Sequence, residues 1–219
     1  MLVFELYVDT YPSKKIASLY TNYNEVIRPL ISEIEARQEV FPAPLFNEIR
    51  AFNDHIARCH LPDKSGDQVS EEIKKAEGHI IRITLDCFKY LDVFLHDKVK
   101  RFERNTRNID ISVFDNGSFY PRFCNLQKQA VKHVREAKKS ESIDSITSLN
   151  MYQLAYNTYC EIEVLIDDKT AEIRWAKVRF TTKKVINSLL WTLAAILSGL
   201  ISLFLTCEEV KLILTDLVK

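Results

Sequence analysis

Residues 185–206 read VINSLLWTLAAILSGLISLFLT, 22 residues without one ionisable side chain. A helix rises about 1.5 Å per residue, so this stretch covers about 33 Å and matches a hydrocarbon core of about 30 Å. The competing reading is a helix buried inside a soluble core, but such helices are usually shorter. We read the stretch as a single transmembrane helix.

The flanks give its expected orientation. Residues 169–184 carry Lys169, Arg174, Lys177, Arg179, Lys183 and Lys184 against Glu172 alone, whereas residues 207–219 carry Lys211 and Lys219 against Glu208, Glu209 and Asp216. The positive-inside rule then places the N-terminal part in the cytoplasm and the short tail, 207–219, outside. A span this near the end of the sequence is expected to insert after translation, as a tail anchor does. Trp175 and Phe180 stand at the basic flank, where an aromatic belt would lie.

Small and hydroxylated residues recur along the span at helical steps: Ser188, Thr192, Ala195, Ser198 with Gly199, and Ser202. Small-xxx-small spacing lets helix backbones approach closely in lipid, which suggests a homo-oligomer. A ring of such helices could line a wet path. The plainer reading is that Ser and Thr bond back to their own i−4 carbonyls.

Outward from the span, the composition favours helices. The chain has 219 residues, 47% hydrophobic and 27% charged, with only 4 Gly and 6 Pro, and after Pro121 there is no proline and one glycine, Gly199. This excludes disorder and collagen-like structure and argues against sheets. Thirty basic residues balance thirty acidic ones, so net charge names no partner and local patches must. Five cysteines lie far apart without a CxxC pair, fitting reduced thiols rather than a disulfide scaffold or zinc site. The N-terminus lacks the basic start of a secretory signal.

The expected fold is therefore all-α: a cytoplasmic helical bundle with long helices followed by one C-terminal transmembrane helix. Residues 1–140 would form the helical domain, 141–184 a connecting long helix with a basic juxtamembrane flank, 185–206 the span and 207–219 the tail. Within the first part, Ser13 would cap a helix kinked at Pro29, a second helix would end before Pro62, and Ser70 would open a third that runs to about Arg107. Asp115-Asn116-Gly117 reads as a turn. A fourth helix fades at Lys138-Lys139-Ser140, and a fifth starts near Ser142 with nothing evident to stop it before the membrane. Residues 1–8 fit an edge strand or a helix start equally.

Chemistry is sparse. There is no P-loop, GxGxxG, GxSxG, HExxH or EF-hand loop, and no metal or cofactor site is expected. Arg50-x4-His55 (RAFNDH) resembles the Arg-x4–6-His signature of helical HEPN ribonucleases. In such an enzyme His55 would act on the ribose hydroxyl or leaving group, and Arg50 would steady the phosphate. With 12 Arg and 5 His in the chain, roughly one such pair is expected by chance. His79, Arg82, Asp86 and Lys89 share one side of the third helix, with Arg82 and Asp86 spaced to pair. They read as a self-satisfying seam between packed helices or as a proton-sensitive latch.

Basic residues cluster at Arg101, Arg104 and Arg107 and again at Lys128, Lys132 and Arg135, with Phe119, Tyr120, Arg122 and Phe123 between them. Cations neutralise phosphates and aromatics stack on bases, so this stretch is a candidate contact for RNA, single-stranded DNA or a protein partner. A solvated helix face is the ordinary alternative. No small-molecule substrate is expected.

Residues 75–91, KAEGHIIRITLDCFKYL, resemble a stretch of helical bacterial proteins, some encoded beside phage-defence modules; the likeness covers 17 of 219 residues. A helical domain joined to a membrane helix resembles the membrane effectors of retron and other abortive-infection systems. That resemblance implies a non-enzymatic toxin of the bacterial inner membrane, held silent by a reverse transcriptase with its RNA or single-stranded DNA and then released to damage the membrane. The other expectations are a membrane-tethered ribonuclease and a tail-anchored adaptor.

Overall fold

The computed structural model describes residues 12–206; the expectations for residues 1–8 and 207–219 lie outside them. Among the described residues the chain forms helices and no strands. In order come α1 (Pro12–Asn22), a π-turn (Tyr23–Ile27), α2 (Arg28–Gln38), α3 (Ala43–Arg58), α4 (Gly66–Thr106), a 3-10 segment (Ile111–Gly117), α5 (Phe119–Ser140), α6 (Ser145–Asp167) and α7 (Thr170–Thr206). The described residues up to Arg104, with Ser112–Asp167, make one compact unit. Asn105–Ile111 and the described residues from Asp168 onward make another.

In the first unit α4 is the organising element, at 41 residues about 60 Å long. Ile73, Ala76, Ile80, Ile83, Cys87 and Leu91 recur every three or four residues and are buried in one core with Ile27, Ile31 and Ile34 from the π-turn and α2 and Leu45, Phe52 and Ile56 from α3. A second face of α4 places Leu85 and Phe88 in a core with Ala137, Leu149 and Tyr152 of α5 and α6. A third cluster is aromatic: Phe102 lies 5.1 Å from Phe123 and 6.1 Å from Phe119, which in turn lies 5.9 Å from Phe114. Phe119 and Phe123, proposed above as stacking partners for bases, are thus core residues.

Several helix ends differ from the expected ones. α4 begins at Gly66 rather than Ser70, because Ser65 and Gln68 form a capping box: the Gln68 N–H donates to Ser65 Oγ (3.3 Å) and the Ser65 N–H to Gln68 Oε1 (3.0 Å). Ser13 lies within α1, one residue after Pro12. Pro29 produces no simple kink. A proline ring clashes with the carbonyl four residues back, and here the preceding turn widens so that the Arg28 N–H reaches Tyr23 O. Asp115, Asn116 and Gly117 have φ of 50°, 54° and 90°, three successive left-handed residues that end the 3-10 segment.

The expected rod from Ser142 into the span is two helices. Asp144 caps α6, accepting from the N–H groups of Ile146 (3.0 Å) and Thr147 (3.1 Å). α6 stops at Asp167, and a two-residue turn, Asp168-Lys169, precedes α7. α6 has no basic residue in its last turn, and carboxylates there oppose the negative end of the helix dipole, while they suit the start of the next helix. α6 therefore belongs with the bundle and not with a separate connecting segment 141–184.

Candidate functional site

In α7 the apolar surface is not covered by protein. None of its described side chains is buried, and Leu189, Leu190, Trp191, Leu193, Ile196 and Leu200 are each more than half exposed. Among the described residues one helix, residues 170–204, is long and apolar enough to cross a membrane. Each large apolar side chain moved from water into an apolar phase contributes about 1.5–3 kcal/mol, so this helix strongly favours an apolar environment. Along it Ser188, Thr192, Ala195, Gly199 and Ser202 fall on one side, with Ser198 beside them, as helical spacing requires. Thr192 Oγ1 donates to Ser188 O of its own helix at 2.9 Å. At Gly199 an added Cβ would meet nothing within 4 Å. Toward the N-terminal end, Arg179 stacks over Trp175 at 5.2 Å, a cation–π pair at the basic flank.

Arg50 and His55 do not form a joint site. Five residues on one helix set them about 140° apart; Arg50 is exposed, whereas His55 turns inward. His55 Nδ1 lies 2.7 Å from Glu72 Oε2, and its ring stacks on His79 at 5.1 Å. The Glu72 carboxyl is buried, and the hydrogen bond to His55 holds its pKa below the usual carboxylate range, helped by Lys75 and Lys64. His79 pairs likewise with Glu48 at 2.7 Å, and Arg82 Nε approaches the same oxygen at 3.2 Å. Arg82 thus turns to α3 rather than to Asp86. Asp86 meets Lys89 at 3.3 Å, and Lys89 also bonds Glu141. The seam on α4 cross-links helices, with each ion answered by its opposite.

Arg101, Arg104, Arg107, Tyr120, Arg122, Lys128, Lys132 and Arg135 are all exposed. With Phe119 and Phe123 in the core, Tyr120 is the one ring of that stretch left at the surface.

Sequence reasoning passed over Asp92, which lies on α4 among the residues counted as core. It is 4% exposed, and neither carboxylate oxygen has a hydrogen-bond partner. Burial pushes its pKa up to about 8. Asp92 lines a cavity of about 710 Å³ between α4, α5 and α6. The nearby phenols are engaged elsewhere: Tyr159 OH lies 3.1 Å from His96 Nδ1, and Tyr152 OH donates to Glu141 at 3.3 Å. Val93, Val131 and Val134 supply apolar wall, Arg135 and Lys138 bring positive charge, and Lys89 is paired with Glu141 of the same lining. The signal that could have revealed the site is a lone acid between Leu91 and Leu95, in register with the buried row of a helix. A smaller cavity of about 440 Å³ adjoins His55 and His79, whose Nδ1 atoms are already engaged by Glu72 and Glu48. Among the described residues no group of three or more His, Cys, Asp or Glu side chains could hold a metal ion. No family model matches this chain, and neither curated proteins nor solved structures return a match.

Proposed function

We propose that this protein is a membrane-anchored effector of bacterial anti-phage defence. Its helical unit lies at the cytoplasmic face of the inner membrane, and α7 spans the bilayer once. The observation that carries the reading is the wholly uncovered apolar surface of α7. The basic residues that precede it support the orientation. In this reading a protein or nucleoprotein partner, such as a reverse transcriptase with its nucleic acid, restrains the helical unit. On release, α7 helices from several copies associate through the Ser188, Thr192, Ala195, Gly199 and Ser202 side and breach the membrane. The resemblance of residues 75–91 to helical bacterial proteins, some encoded beside phage-defence modules, and of the overall organisation to abortive-infection effectors supports the defence role. The engagement of His55 by Glu72, away from Arg50, disfavours the ribonuclease reading.

The test is inducible expression in bacteria of the full chain and of a chain ending at Lys184, with growth and membrane potential followed together. The expected result is rapid depolarisation by the full chain alone. Growth arrest by both chains with the potential intact would overturn the reading and move the activity into the helical unit. Absence of arrest by either, with no other protein supplied, would favour a passive adaptor.

A further inference from the structure

The cavity between α4, α5 and α6 carries an inference that stands independently of the membrane reading. At about 710 Å³ it lies within the range of small-molecule sites. Its distinctive group is Asp92, whose two oxygens are both buried and both unpartnered. A carboxylate in this condition costs free energy unless a ligand brings donors to it. Two adjacent acceptors call for a ligand edge with two parallel N–H donors, as a guanidinium, an amidine or a guanine presents.

The surrounding charge decides among them. Arg135 and Lys138 are exposed and have no ion-pair partner among the described residues, whereas Lys89 is neutralised by Asp86 and by Glu141, which lines the same cavity. That field disfavours a cationic ligand and favours one with a negative tail. A guanine nucleotide joins the required parts: a neutral edge with N1–H and N2–H side by side, a flat apolar body, and a phosphate. Val93, Val131 and Val134 offer the apolar wall, with the Tyr152 and Tyr159 rings beside Asp92. Adenine lacks the paired donors.

We propose that this cavity binds a guanine nucleotide, with Asp92 accepting from the N1–H and N2–H groups of the base and Arg135 and Lys138 receiving the phosphate. The base then supplies the hydrogen bonds that Asp92 lacks.

The test is equilibrium binding of GMP, AMP, XMP and guanosine to the full chain in detergent micelles, at alkaline pH so that the Asp92 carboxyl is ionised. GMP is expected to bind at least roughly tenfold more tightly than AMP, the scale set by a hydrogen bond to a charged group. Asp92→Asn should reverse the base preference, losing GMP and gaining XMP, because an amide N–H₂ pairs with the xanthine carbonyl where a carboxylate cannot. This gain distinguishes recognition from misfolding. Replacing Arg135 and Lys138 by Ala should weaken GMP and leave guanosine unchanged. Equal binding of GMP and AMP, no binding of GMP at millimolar concentration, or an Asp92→Asn protein that still prefers GMP would overturn the proposal.

Discussion

Asp92 and Glu72 are both buried acids, and they respond to pH in opposite senses. Burial raises the Asp92 pKa to about 8, against about 3.9 in an unfolded chain. The folded state is therefore penalised increasingly as pH rises from about 4 to about 8. Asp92→Asn should stabilise the protein by about 1–3 kcal/mol above that range and by little below it, measured by urea unfolding across pH. Glu72 is the reverse case: its folded pKa is depressed by the bond from His55. The stability it contributes is present above the ordinary glutamate pKa and is lost as pH falls through the folded value. Glu72→Gln should cost about 1–3 kcal/mol at neutral pH and progressively less in acid, by the same measurement. What made these residues hard to read from sequence is that partnership, not identity, defines them. His55 looked like chemistry because Arg50 stood five residues away; only the fold brings Glu72 to it. Asp92 looked like an ordinary helix residue because its distinction is the absence of a partner.

At the scale of elements, helix existence was legible and helix ends were less so. Apolar periodicity in α3, α4 and α5 located each helix, and the buried row on α4 contains Ile73, Ala76, Ile80, Cys87 and Leu91 as spaced. Ends depend on single side chains whose role is local. The Ser65–Gln68 box was overlooked beside the more conspicuous Ser70-Glu71-Glu72. Ser65→Ala should lower stability by about 1 kcal/mol, whereas Ser70→Ala, inside the helix, should change it little; chemical unfolding of both variants checks this. Gly117, at φ 90°, closes a run of left-handed residues, and Gly117→Ala should cost about 1 kcal/mol in the same assay. Between elements, Arg37 of α2 grips Glu163 of α6 with two hydrogen bonds, at 2.7 and 2.8 Å, while Lys98 of α4 bonds Glu163 at 2.9 Å. One carboxylate thus ties three helices. Glu163→Gln should destabilise by about 2–3 kcal/mol, and Arg37→Lys should not preserve the two-pronged contact.

For the whole molecule, the feature read most securely was the all-helical class with a membrane-length C-terminal helix, because both follow from composition and uninterrupted apolarity. The division of the chain was not legible: α6 carries acids and apolar residues in a pattern that flows into α7, and a two-residue turn leaves almost no compositional trace. The end of α6 at Asp167 implies that the bundle does not need α7 to complete its cores. A chain ending at Lys169 should remain helical and soluble without detergent, with α7 removed, as circular dichroism and gel filtration would show. Retention of that fragment in the membrane pellet would contradict this division.

The π-turn at Tyr23–Ile27 bears on how this chain tolerates change in length. A π-turn holds one residue more than the α-helical turn it replaces, so deleting Asn24 would return the segment to regular helix while Ile27, Ile31 and Ile34 kept their places in the core. That repair would at the same time bring the Pro29 ring against the carbonyl four residues before it. The deletion is therefore harmful alone and tolerated alongside Pro29→Ala. The two sites are thus coupled in one direction: the surplus residue cannot be lost without penalty before the proline is.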